Sequence, residues 1–129
     1  MVKRIIIIIV LFVTLIGLAT FEVIAVNNLI TNLEEMATNL QSEITDNKEN
    51  VETTLTSVKE VKNYWDSFED DLCLMFNHKD LSTITDTLSR LYSYVGNNDY
   101  DNAIAEVNLL KEYAEKNRHI MGFNIQNLL

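Results

Sequence analysis

The feature that most limits this chain is a run of seventeen uncharged residues, IIIIIVLFVTLIGLATF, at positions 5–21, directly after Met-Val-Lys-Arg. Continued to Val26 it is interrupted only by Glu22, and a helix over residues 5–26 rises ~33 Å, enough to cross a hydrocarbon core of roughly 30 Å. A helix buried in a small soluble bundle would carry a polar stripe, and this segment has none. A cleaved signal peptide is the competing reading, but its apolar core normally runs about 7–15 residues before a small-x-small site. Here the run is longer, and the best cleavage candidate, Val23-Ile24-Ala25, fits that pattern poorly. The expectation is an uncleaved single-pass anchor. Residues 1–26 would form a cytoplasmic tip and transmembrane helix, and residues 27–129 an extracytoplasmic domain.

Orientation follows from charge. Lys3 and Arg4 precede the run, and no base occurs between Ile5 and Lys48. The positive-inside rule therefore places the N-terminus in the cytoplasm and the remainder outside the plasma membrane. Glu22 falls at the outer end of the segment, where a carboxylate can reach headgroup water. Thr14, Gly17 and Thr20 are three apart and could form a small-residue contact with another membrane helix.

The rest of the chain reads as all-α. Proline is absent and glycine occurs only at 17, 96 and 122, too little turn punctuation for a sandwich, a barrel or a Gly-rich phosphate loop. Apolar residues step by three and four along Leu29, Leu33, Met36, Leu40 and Ile44. They do so again along Val51, Leu55, Val58, Val61, Trp65, Phe68, Leu72 and Met75. Two further stripes follow: Leu81, Ile84, Leu88, Leu91 and Val95, then Tyr100, Ala103, Val107, Leu110 and Ala114. Asp80 is the expected N-cap of the third segment, with Gly96 at its C′ position, and Asn98 or Asp99 the cap of the fourth. The short 96–98 connection makes the last two helices antiparallel.

The polar run at 45–50 is a candidate break, but positions 33/44/55, 36/47/58 and 40/51/62 recur every eleven residues, as one continuous helix would allow. Two architectures follow: a long stalk entering a distal three-helix bundle, or an antiparallel four-helix bundle with a kink near Asn27. The four-helix version is the slightly favoured expectation.

Charge and cysteine content remove several function classes. With two bases and one acid in residues 1–26, the remaining eight bases and eighteen acids leave residues 27–129 at net −10. Such a body repels phosphate backbones, so nucleic acid is not an expected partner. The single cysteine, Cys73, excludes an internal disulfide and multi-cysteine metal sites; flanked by Leu72 and Leu74, it reads as a small buried hydrophobe.

No residue is assigned a catalytic, cofactor-binding or metal-ligating role. His78, with Glu69, Asp70, Asp71 and Asp80 nearby in sequence, lacks a His-x-x-His or Glu-x-x-His spacing, and reads as a helix-junction histidine. Asp66, Glu69, Asp70 and Asp71 read as a solvated acidic face. Five residues separate Cys73 from His78, which argues against a thiolate pair on one helix face. Trp65 falls at a core spacing and reads as a packing anchor. Lys116, Arg118 and His119 gather positive charge near the expected carboxyl end of the last helix. Beyond Gly122, residues 123–129 carry four large apolar side chains and must pack, along the bundle near Trp65 or on a partner.

Three stretches, WDSFEDDLCLMFNHKDLSTITDTLSRLYSYV, NNDYDNAIAEVNLL and the final NIQNLL, resemble a clostridial family described as domain of unknown function 4363. The shared pattern is a basic start, an apolar helix, a Trp, a Phe-x-x-His before an acidic helix start, and an Asn-Ile-Leu-like end. Here their counterparts are Lys3 and Arg4, residues 5–21, Trp65, Phe76 and His78 at the shorter Phe-x-His spacing, Asp80, and Asn127-Leu128-Leu129. The chain departs most at residues 46–51, where the family tends to show a Trp-containing turn. The resemblance implies a membrane-anchored helical fold and no chemistry.

The expected function is a non-enzymatic, membrane-anchored helical module that supports a membrane or envelope protein, with a second copy of the chain as one candidate partner. It would meet the bilayer through residues 5–26. The alternative is a ligand- or metal-sensing helical bundle, although no apolar run follows residue 26 to return a signal through a second membrane helix.

Overall fold

With no proline and one glycine before residue 47, nothing stops a helix once it starts at Val2. The computed structural model, which describes residues 2–46, 50–73 and 76–126 with side chains through Arg118, has α1 as one helix from Val2 to Asp46. Three more helices follow: α2 (Val51–Leu72), α3 (His78–Gly96) and α4 (Tyr100–Gln126). Each packs on two neighbours, in the order α1–α2–α3–α4 and back to α1. The all-α expectation holds, in its four-helix version.

At Asn27, where the four-helix reading places a kink, the structure keeps one continuous helix. α1 runs through this residue, and the Thr31 hydroxyl donates back to the Asn27 carbonyl at 2.8 Å. Thr14 and Thr20 make the same i−4 bond, to Val10 and Ile16. Such a bond satisfies a hydroxyl with no partner helix and no water.

What changes along α1 is burial. From Val2 to Ala25 every side chain is exposed except half-exposed Val23. From Val26 onward one face is buried: Leu29, Ile30, Leu33, Ala37, Leu40 and Ile44. The helix is shared, and its environment is not.

The break at 45–50 is real, so the eleven-residue repeat does not describe one helix. Asn50 caps α2, its side chain accepting the Thr53 amide at 3.3 Å. Two other caps differ from expectation. Asn77, not Asp80, caps α3: it accepts the Lys79 amide at 3.0 Å, while the Asp80 amide is already bonded to the Asn77 carbonyl. Gly96 is the last residue of α3, and the left-handed residue is Asn98, with φ 58°. The Asp99 amide bonds the Tyr94 carbonyl and the Asn98 amide that of Val95, the paired bonds of a Schellman ending. Asp99 opens α4, its carbonyl taking the Ala103 amide and its carboxylate the Asn102 amide. Helix α4 continues through Gly122 to Gln126. Lys116 and Arg118 therefore lie within it, not near its end, whereas the side chains of residues 119–126 and all of 127–129 fall outside the described residues.

The core follows the apolar stripes with local exceptions. Leu81, Ile84, Leu88, Leu91 and Val95 of α3 are all buried, as are Ala103, Val107, Leu110 and Ala114 of α4. On α2, Val58, Val61, Trp65 and Leu72 are buried, but Phe68 is 36% exposed; Met75 lies outside the described residues. Two threonines that polarity would place outside, Thr54 and Thr87, are buried, because each hydroxyl bonds its own helix at Asn50 and Thr83.

Trp65 is fully buried, and its indole N–H donates to Thr85 Oγ1 on α3 at 2.9 Å. Truncation of Trp65 to Ala is expected to cost about 3–5 kcal/mol, read by chemical denaturation of the detergent-solubilised chain. A loss below about 1 kcal/mol would show the ring to be dispensable to the core.

At the α3–α4 turn, Gly96→Ala should be neutral or stabilising by up to ~1 kcal/mol, since a new Cβ meets only Leu55 Cδ2 at 3.8 Å. Asn98→Ala should cost ~1 kcal/mol, because alanine is poorly suited to positive φ. Thermal unfolding followed by circular dichroism reads both, and the opposite ranking would misplace the left-handed residue.

Candidate functional site

The acidic residues at the end of α2, which look like one face in the sequence, are dispersed by the fold. Asp66 pairs with Lys62 one turn earlier, at 3.1 Å. Glu69 turns toward α3, where its Oε1 accepts the Thr85 hydroxyl at 2.8 Å. Thr85 in turn accepts from Trp65, so indole, hydroxyl and carboxylate form one short relay between α2 and α3. Asp70 is exposed, and Asp71 faces a cleft shared with α1.

That cleft has a volume of about 480 Å³ and lies at the end of the bundle nearest the apolar segment. Phe21 and Leu29 of α1 and Phe68 and Leu72 of α2 contribute its apolar lining, while Glu22 and Asp71 bring a carboxylate from each helix. Its presence follows from helix lengths. The 22 residues of α2 rise ~33 Å, slightly more than the ~30 Å that α1 rises between residues 27 and 46. The last turn of α2 therefore runs past the start of the buried face of α1. One wall is held in place above: Tyr64 stacks edge-on against Phe68, centroids 5.2 Å apart, and accepts a hydrogen bond from Asn32 of α1.

His78 is the first residue of α3 and is exposed. Its Nδ1 lies 3.7 Å from Cys73 Sγ. On a single helix, residues five apart do not share a face. Because α2 ends before Cys73 and the chain turns, a spacing of five brings the two groups together. Cys73 is half-buried, less than its apolar flanks suggest. Among the described residues, no three His, Cys, Asp or Glu side chains converge as a metal-ligand group.

Sequence reasoning missed a strong polar contact elsewhere. Arg90 of α3 forks onto Glu106 of α4, with Nε to Oε1 at 2.8 Å and Nη2 to Oε2 at 3.1 Å. Nη2 also donates to Thr87. Glu106 is 8% exposed. Donation to the Glu106 carboxylate holds the Arg90 guanidinium pKa above its ordinary value. A raised basic pKa stabilises the fold below the unfolded value and loses that effect as pH rises through the folded one, so the contribution lasts through neutral pH and disappears only in strong alkali.

On the other seam of α4, Gln41 of α1 donates to Asn108 and accepts from Lys111, and Glu34 pairs with Arg118 at 3.0 Å. A base expected to serve a helix end thus serves an interhelical contact. One further carboxylate oxygen, Glu43 Oε1, is enclosed with no hydrogen-bond partner among the described residues.

The chain is thus an antiparallel four-helix bundle whose first helix extends as an exposed apolar segment long enough to cross a membrane. Residues 20–128 match the family described as Domain of unknown function (DUF4363), and the chain belongs to that family. No curated protein and no solved structure matches it.

Replacing Arg90 by Ala is expected to destabilise the chain by about 2 kcal/mol, because Glu106 is left buried without its cation. Glu106→Gln in the Arg90→Ala background should recover part of that loss. A double variant no more stable than Arg90→Ala would show that the Glu106 charge is not the source of the cost.

Proposed function

We propose that this protein is a membrane-anchored helical interaction module, in which residues 5–26 cross the bilayer, Lys3 and Arg4 stay in the cytoplasm, and residues 27–129 stand outside. It would support another membrane or envelope protein without chemistry of its own. The observation that carries the reading is the abrupt change in α1: Ile5–Ile9, Leu11, Phe12 and Leu15 are all more than half exposed, whereas Leu33, Ala37 and Ile44 on the same helix are fully buried. Exposed apolar surface of that extent has no favourable neighbour in water. Bilayer hydrocarbon would cover it.

Continuity of α1 gives the reading a mechanical content. No loop separates the apolar segment from the bundle, so the module would be held at a set height and tilt. The bundle end where α2 gives way to α3 would face the membrane, and the end where α3 gives way to α4 would point away. Such a rigid mount suits presentation of a surface to a neighbour better than capture of a distant ligand.

Alkaline carbonate should leave the full-length chain in the membrane fraction. In a Cys73→Ala background, Lys59→Cys, on an exposed position of α2, should react with an impermeant maleimide in intact cells. Labelling only after lysis would reverse the orientation, and release by carbonate would remove the anchor. Purification in mild detergent should then retain a membrane protein in stoichiometric amount. A melting temperature raised by a divalent cation, with no retained protein, would instead favour the sensing bundle.

A further inference from the structure

We propose that the cleft between α1 and α2 binds the primary-ammonium headgroup of a membrane phospholipid, phosphatidylethanolamine being the simplest such lipid. The inference rests on the membrane-anchored reading, because it is the crossing of residues 5–26 that brings the cleft to headgroup level. Phe21 and Glu22 lie in the last turns of that segment, and Leu29 lies one turn beyond it.

The lining matches an amphiphile with a cationic end. Phe21, Leu29, Phe68 and Leu72 offer apolar surface continuous with the exposed helix below, and Glu22 and Asp71 offer two carboxylates from different helices. Of the neighbouring acids, Asp66 is engaged by Lys62 and Glu69 by Thr85, and exposed Asp70 is not part of the cleft lining. Glu22 and Asp71 take part in no ion pair or hydrogen bond among the described residues.

Local electrostatics point the same way. The carboxyl end of a helix carries partial negative charge and favours bases nearby. The last turn of α2 instead holds Glu69, Asp70 and Asp71, with no base. A cation seated between Asp71 and Glu22 relieves this accumulation.

The donor pattern selects the headgroup. A primary ammonium carries three N–H donors and can bridge two carboxylates through charge-assisted bonds. The quaternary ammonium of phosphatidylcholine has the same charge and no donor. Phosphatidylglycerol brings only negative charge to a negative site. Preference for ethanolamine over choline therefore isolates hydrogen bonding from net charge. The cleft volume of about 480 Å³ lies within the range of small-ligand sites.

The test uses the full-length chain in detergent micelles, titrated separately with dioleoyl phosphatidylethanolamine, phosphatidylcholine and phosphatidylglycerol and read by native mass spectrometry. Phosphatidylethanolamine is expected to bind about tenfold more tightly than phosphatidylcholine. The E22Q/D71N double variant should reduce that ratio to about one, with helix content unchanged, since both side chains are exposed. The E52Q/E60Q control changes net charge equally on a remote face of α2 and should keep the preference. No preference in the wild-type chain, a preference surviving E22Q/D71N, or equal loss in the control would overturn the proposal. A preference appearing only after deletion of residues 127–129 would assign the cleft to that segment and overturn it too. Carbonate extraction separates the two readings: a retained chain with no lipid preference sinks the lipid site alone, and an extracted chain sinks both.

Discussion

The contact between the second half of α1 and α4 is the one on which the rest of the structure depends. It is the most extensive helix pairing in the fold, and it joins the helix bearing the exposed apolar segment to the helix that returns last along the bundle. Small residues are buried on both sides, Ala37 on α1 and Ala103 and Ala114 on α4, between larger Leu33, Leu40, Val107 and Leu110. Alternation of small and large side chains lets two helices approach closely while filling the space between them. Once α1 and α4 are paired, α2 and α3 close the square, each against its neighbours in sequence. Orientation of the bundle relative to the apolar segment is then a property of one unbroken helix.

Polar groups are arranged so that few depend on outside partners. Threonines at 14, 20, 31, 38 and 45 bond back to their own helix, leaving α1 self-sufficient whether it faces lipid, protein or water. Between helices, directional contacts set register: Arg90 with Glu106 for α3–α4, Trp65 with Thr85 for α2–α3, and Gln41 with Asn108 and Lys111 for α1–α4. Apolar packing alone leaves neighbouring helices able to slide by a turn at modest cost. A forked guanidinium–carboxylate contact on a nearly buried acid does not, because a one-turn slip strands the charge.

The negative charge of the bundle is distributed unevenly in its consequences. Glu34, Glu69, Asp66 and Glu106 are engaged with partners inside the fold. Glu22 and Asp71 are left facing a cleft where apolar surface and negative potential meet. That combination, rather than net charge, distinguishes this end of the bundle from its outer faces. Another acid-bearing concavity, along Glu52, Thr56 and Glu60 of α2, has no large apolar lining.

Much of this architecture is legible in the residues themselves. Helical class, the four stripes, the separation of α1 from α2 and of α3 from α4, and the exposed apolar segment all follow from periodicity, polar breaks and the absence of proline, which are local properties. Errors in the caps were also local but closely balanced. Asn77 and Asp80 are both good capping residues three apart, and which of them caps depends on where the chain leaves the α2–α3 turn. Asn98 rather than Gly96 takes the left-handed position because α3 runs two residues further than a glycine at the C′ position implies.

What only the tertiary structure decided is which distant residues meet or line a common cleft. Glu22 and Asp71 are 49 positions apart, and Arg90 and Glu106 are 16 apart. Their juxtaposition depends on helix length, rotation and antiparallel register acting together. Cys73 and His78 approach for the same reason, since residues five apart diverge on one helix but can meet where one helix gives way to the next. Periodicity specifies a face within each helix, because neighbouring residues dictate it through backbone geometry. It carries no information on which turn of one helix lies beside which turn of another, because that is settled by long-range packing and by a few polar contacts between helices.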